Sequence, residues 1–85
     1  MPIGIRYTRH AHEKFSTLEH HGFPITPEQV ESAVTSHDRL IPEGGRLIAQ
    51  ARISDTHVLR VVYRQEGDER VVITFYPGRR TRYEH

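Results

Sequence analysis

The chain has 85 residues, 35% hydrophobic and 27% charged, with a net charge of +1. That length holds one domain with a modest core and excludes cofactor-binding folds of about 150 residues or more. With no Cys, disulfides, thiolate metal sites and a Cys nucleophile are all excluded.

In chain order, residues 3–7 read as an edge strand. Residues 9–21 place Ala11, Phe15 and Leu18 at i, i+4 and i+7, one apolar stripe at helical spacing. Thr8 stands at the N-cap of this helix. Gly22 and Phe23 follow as the C′ and C″ residues of a Schellman ending, with Phe23 set against Leu18. The second helix is signed by Thr26-Pro27-Glu28-Gln29, with Thr at N-cap, Pro at N1 and Gln at N3 of a capping box. Ile25 and Val30 are spaced as a hydrophobic staple, and Val30, Ala33 and Val34 supply the buried stripe. This helix is expected to fade between Ser36 and Asp38.

From Arg46 onward the hydrophobic period changes to two. Residues 46–53, 57–65 and 69–76 are rich in Val, Ile and Leu, with Asp55 and Glu66-Gly67-Asp68 marking the turns. Short turns imply antiparallel hairpins, so the three segments form a meander. Residues 39–42 are expected to add a strand before Gly44-Gly45. Pro77-Gly78 is expected to end the last strand. A single domain over residues 1–85 then finishes in a flexible Arg-rich tail at 78–85.

Sorting these strands by parity gives one apolar face: Leu47, Ala49, Ala51, Ile53, Leu59, Val61, Tyr63, Val71, Ile73 and Phe75. The two helices are expected to pack there. The other face takes Arg46, Ile48, Gln50, Arg52, Val58, Arg60, Val62, Arg64, Arg70, Val72, Thr74 and Tyr76. Charge follows the same division. Residues 1–45 carry four basic against six acidic groups, and residues 46–85 carry eight Arg against five acidic groups. Five of those eight Arg fall on the second face, and Arg79, Arg80 and Arg82 continue from the end of the last strand. A face of this kind is either a solvated surface kept soluble by Arg, a docking surface for protein, or a basic surface for phosphates on which an aromatic stacks against a base.

The seven His do not make a metal site by spacing, because no i, i+4 pair and no H-E-x-x-H arrangement exists. Neither metal nor cofactor is therefore expected. No Gly-rich phosphate loop and no G-x-S-x-G elbow is present. His10, in the first turn of the first helix, is placed either to hydrogen-bond a neighbouring strand or to serve as general acid or base beside Arg. No apolar run approaches the roughly 18 residues of a membrane span. The first nine residues hold no apolar leader core, so the expected compartment is the cytoplasm, without a membrane partner.

The succession Tyr7-Thr8-Arg9-His10-Ala11, Ile25-Thr26-Pro27-Glu28-Gln29-Val30, Val61-Val62-Tyr63 and Val72-Ile73-Thr74-Phe75-Tyr76-Pro77 resembles a family of small proteins of unassigned function. That family is related to the RelE/ParE-like toxins of the barnase–EndoU–colicin–RelE fold. The resemblance covers most of residues 5–77. It departs at His20-His21, where the family has Arg before the Gly, at His37, where it has Pro, and at Phe23-Pro24, which lengthens the turn between helices. It implies an α+β fold, with two N-terminal helices on one face of a three- to five-stranded antiparallel sheet. It also implies an RNA-binding protein, and in active members a metal-independent endoribonuclease toxin paired with an antitoxin. By matching position, His10 and Tyr76 take the catalytic places. Arg52, Arg60, Arg64, Arg79, Arg80 and Arg82 are the candidates for RNA phosphates. The alternative is a catalytically silent adaptor that meets a protein partner through its sheet edge or open face. Homo-oligomers are compatible with either reading.

Overall fold

The computed structural model describes residues 4–84. Ile3 of the expected edge strand and His85 of the tail lie outside them. The elements are β1 (Gly4–Tyr7), α1 (Arg9–His20), α2 (Pro27–Thr35), β2 (Arg39–Glu43), β3 (Arg46–Arg52), β4 (His57–Glu66), β5 (Glu69–Arg79) and α3 (Arg80–Tyr83). The fold is α+β.

Local chemistry accounts for the helix ends. Thr8 Oγ1 accepts from the Ala11 N–H at 3.2 Å and caps α1. At the other end Phe23 N–H donates to Leu18 O and Gly22 N–H to Glu19 O, the two hydrogen bonds of a Schellman ending. The α2 capping box is complete, with the Thr26 side chain on the Gln29 N–H and the Gln29 side chain on the Thr26 N–H. Gly44 and Gly45 have φ of 57° and 79°. Consecutive positive φ values make the mirror-image two-residue turn whose twist suits a hairpin, here joining β2 to β3.

The sheet order is β1-β5-β4-β3-β2. β2 to β5 form the expected antiparallel meander. β1 does not follow it: Gly4–Tyr7 pairs in parallel with β5, Arg6 opposite Val71. The sheet is therefore mixed, not wholly antiparallel. Thr8 extends the parallel contact, its N–H donating to Val72 O at 3.0 Å and its hydroxyl to Ile73 O at 3.1 Å. The chain turns into α1 directly after these bonds, so the cap residue of the helix also fastens the edge strand.

Face parity in β5 also departs from strict alternation. The β4–β5 register shifts between Val62, opposite Thr74, and Tyr63, opposite Val72. Ile73 is the extra residue of this bulge, and one inserted residue exchanges the faces of everything before it. Val72, not Val71 or Ile73, therefore joins the helix-side core with Leu59, Val61, Tyr63 and Phe75, while Val71 is buried on the other face, opposite Arg64. Arg70 turns to the helix side with it, where its Nη1 donates to Val34 O at the end of α2. The same core takes Ala11 from α1, Val30, Ala33 and Val34 from α2, and Ala49 from β3.

β5 also runs past Pro77-Gly78 to Arg79, pairing Leu59 with Pro77 and Val58 with Gly78. β1 ends opposite Val72, so Pro77 lies where β5 is an edge, the place in a sheet where a residue without N–H is tolerated. The Arg-rich segment after it folds back as α3 against β4 and β5, on the face opposite α1 and α2.

Tyr7 packs on Phe15 with ring centroids 5.6 Å apart. Its buried hydroxyl has no partner in hydrogen-bond geometry among the described residues. Burial, reinforced by the Glu31 and Glu28 carboxylates, pushes that hydroxyl up to about 12. An unfolded Tyr ionises near about 10, so this preference for the neutral ring is fully present below about pH 10 and lost as pH rises through the folded value. Tyr7→Phe is expected to leave stability at neutral pH unchanged or higher and to flatten part of the alkaline loss. Denaturant midpoints across that range check this; identical alkaline slopes for both proteins would count against it.

Candidate functional site

The sheet face away from α1 and α2 is ordered in rows by the strand register. One row runs Arg39, Gln50, Arg60, Tyr76, and the next runs Ile41, Ile48, Val62, Thr74. The centre of the first row is Gln50, which is 1% exposed. Its Oε1 accepts from Arg60 Nη1, and its Nε2 donates to Tyr83 O at 3.4 Å. Arg60 Nε donates to Tyr76 Oη at 3.1 Å. The Arg60 guanidinium carbon lies 4.3 Å from the centre of the Tyr83 ring, within cation–π range. The four side chains thus form one connected cluster in which Arg60 is the hub.

Tyr83 reaches this position because β5 has Gly78 beneath it. A Cβ at Gly78 would lie within 2.2 Å of the Tyr83 ring, a separation no side chain occupies. The end of the chain is also held by charge. Glu84 pairs with Arg52 at 3.1 Å and with Arg80 at 2.7 Å. Hydrogen bonds from Arg80 and then Arg52 hold its carboxyl below the usual range for Glu, and Glu84 in turn raises the Arg52 guanidinium. Arg39 Nη1 donates to Tyr83 O at 3.2 Å.

The residues singled out from the sequence are therefore divided. Arg60 and Tyr76 are in direct contact, and Arg52 and Arg80 meet on Glu84. Arg64 lies farther along β4 and pairs with Glu66, whose carboxyl it holds below the ordinary range. Arg79 and Arg82 have no acidic partner among the described residues, and Arg82 lies 5.5 Å from the Tyr83 ring centre. His10 stands at the uncovered edge of β5, its Nε2 3.2 Å from Thr74 Oγ1. Thr74 and Tyr76 line a shallow groove floored by Ile48 and Val62 and bordered by Arg46 and Glu43. His10 thus touches the groove through Thr74 rather than directly.

Sequence reasoning missed Gln50, Tyr83 and Glu84. For Glu84 a signal existed, its i, i+4 spacing from Arg80, which places opposite charges on one helical face. For Gln50 and Tyr83 the decisive fact is a long-range contact that no local pattern carries.

Among the described residues no group of His, Asp or Glu is arranged to hold a metal ion. Nor is any helix among them long and apolar enough to cross a membrane. Comparison of the chain with protein families, with curated proteins and with solved structures finds no match.

Proposed function

We propose that this protein binds single-stranded RNA on the sheet face opposite α1 and α2, as a RelE-like arrangement of two helices on a sheet. The observation that carries the reading is the cluster of Arg60 with Tyr76 and Tyr83, two aromatic rings and a cation on one face. RNA-binding sheets use this chemistry: rings stack on unpaired bases while guanidinium groups take the phosphates. Arg46, on the border of the groove that Tyr76 lines, and Arg82, beside the Tyr83 ring, add further positive charge.

The finer reading is metal-independent cleavage. The 2′-hydroxyl attacks the adjacent phosphorus, a base takes its proton, and an acid supplies a proton to the departing 5′-oxygen. Because Tyr76 Oη accepts from Arg60 Nε, its own O–H remains to donate, which suits the acid. His10, joined to Thr74 two residues before Tyr76 on β5, suits the base. This reading makes the protein a cytoplasmic toxin partnered by an antitoxin. A second reading, the silent adaptor, is favoured by a different observation: Glu84 already fills Arg52 and Arg80.

Titration of fluorescent single-stranded RNA against the full chain at several salt concentrations tests the binding. Affinity is expected to fall with salt, with a slope of about −0.7 per phosphate contact. Tyr76→Phe keeps the stacking ring and removes only the hydroxyl. Retained binding with lost cleavage, measured in a chelator, is the expected result for the toxin. Salt-independent or absent binding overturns the RNA reading and leaves the adaptor, whereas binding without cleavage in the wild type keeps RNA binding and overturns the toxin.

A further inference from the structure

Two arginines converge on Glu84 from different parts of the fold. Arg52, at the end of β3, presents Nη2 at 3.1 Å from Oε1 and Nε at 3.5 Å from Oε2. This is the forked geometry in which a guanidinium accepts either a carboxylate or a phosphate. Arg80 Nε reaches the same Oε1 at 2.7 Å.

The backbone of each arginine is held independently of Glu84, and so is the Arg80 guanidinium. The Arg80 N–H donates to Thr56 O at 2.9 Å, and its Nη1 donates to Asp55 O at 2.7 Å. The Arg52 N–H donates to Asp38 Oδ2 at 2.9 Å. Residues 81–84 can therefore leave while the Arg80 guanidinium stays on Asp55 O and Arg52 keeps its backbone anchor on Asp38. The side chains of Arg52, Arg80 and Glu84 are 53%, 32% and 25% exposed, so a dissolved anion reaches them without unfolding the domain. Surface ion pairs of this kind are weak.

We infer that Arg52 and Arg80 form a phosphate-binding site, that Glu84 is the chain's own ligand for it, and that a phosphate group of RNA displaces Glu84. The identity of the ligand as RNA rests on the function proposed above; the anion site itself does not. Displacement has a geometric consequence. Tyr83 precedes Glu84 and lies over Gly78 and Arg60. Release of residues 81–84 therefore uncovers Arg60 and frees the Tyr83 ring in the same step. The first phosphate bound at the end of β3 would open the centre of the face to the next nucleotides.

The test uses the full chain as wild type, Glu84→Gln and the double variant Arg52→Ala/Glu84→Gln. Inorganic phosphate is the first probe, followed by the NMR signals of the Arg52 and Arg80 Nε–H groups. If the self-ligand occupies the site about nine-tenths of the time, Glu84→Gln binds phosphate about tenfold more tightly than wild type. The double variant, with its melting curve confirming the fold, should lose that gain. Equal phosphate affinity in wild type and Glu84→Gln overturns the inference, as does a gain that survives Arg52→Ala. Single-stranded RNA is the second probe. RNA that binds wild type and Glu84→Gln equally leaves the function standing and overturns the self-ligand. A phosphate gain in Glu84→Gln with no RNA binding to any variant supports the anion site and overturns the RNA reading.

Discussion

Phe75→Ala is expected to destabilise the protein by about 3–5 kcal/mol. Phe75 is fully buried in β5 and is the largest fully buried side chain in the core. Its ring lies 4.6 Å from that of Phe15 on α1, and the same cluster contains Val30, Ala33 and Val34 of α2. Truncation thus opens a cavity where both helices meet the sheet. The antiparallel strands on one side and the helices on the other prevent collapse into it, which is the condition for a cost at the upper end. A domain of this length has a total stability of only about 4–13 kcal/mol, so the variant approaches unfolding. Urea denaturation checks it, with a lowered midpoint and an unchanged slope. A loss below about 1 kcal/mol would mean that the core is not centred on this residue.

Arg60→Ala is expected to cost about 1–3 kcal/mol, although Arg60 is partly exposed. An exposed Arg on a solvated sheet would contribute almost nothing, and that is what its position in the sequence suggests. The structure gives it another task. Arg60 Nη1 is the donor for Gln50 Oε1, and Gln50 is almost wholly buried. Removing the donor leaves a buried acceptor without a partner. It also removes the cation from the Tyr83 ring, a stacking worth about 0.5–1 kcal/mol at an exposed site. Arg60→Lys should rescue only part of the loss, because an ammonium lacks the planar fork that reaches Gln50 and Tyr76 together. Arg64→Ala is the contrast. Arg64 is exposed and, among the described residues, pairs only with Glu66, so its truncation should stay within about 0.5 kcal/mol. Thermal melts of the three variants decide it. Arg60→Ala and Arg64→Ala of equal stability would remove Arg60 from the centre of the site.

The sequence by itself determined the features that neighbouring residues settle among themselves. Thr8, Gly22 and Phe23 bound α1, and the capping box bounds α2, because each cap closes a hydrogen bond within a few residues. Gly44-Gly45 and Glu66-Gly67-Asp68 turn the chain between strands for a similar reason, and alternation before and after them marks β2 to β5. The placing of Arg60 and Tyr76 on one face was legible too, from strand parity, whereas their contact depends on the register. Tertiary structure alone decided the rest. The parallel pairing of β1 with β5 joins residues about 65 positions apart, with no turn to announce it. The bulge at Ile73 exchanges Val72 for Val71 in the core, because a period of two cannot reveal an inserted residue that only cross-strand packing selects. The return of residues 80–84 over Gly78 buries Gln50 and occupies Arg52, a result that depends on shape across three strands. Local hydrogen bonds and periodicity can be read in order along the chain, whereas the contents of this face are chosen by side chains that meet only after folding.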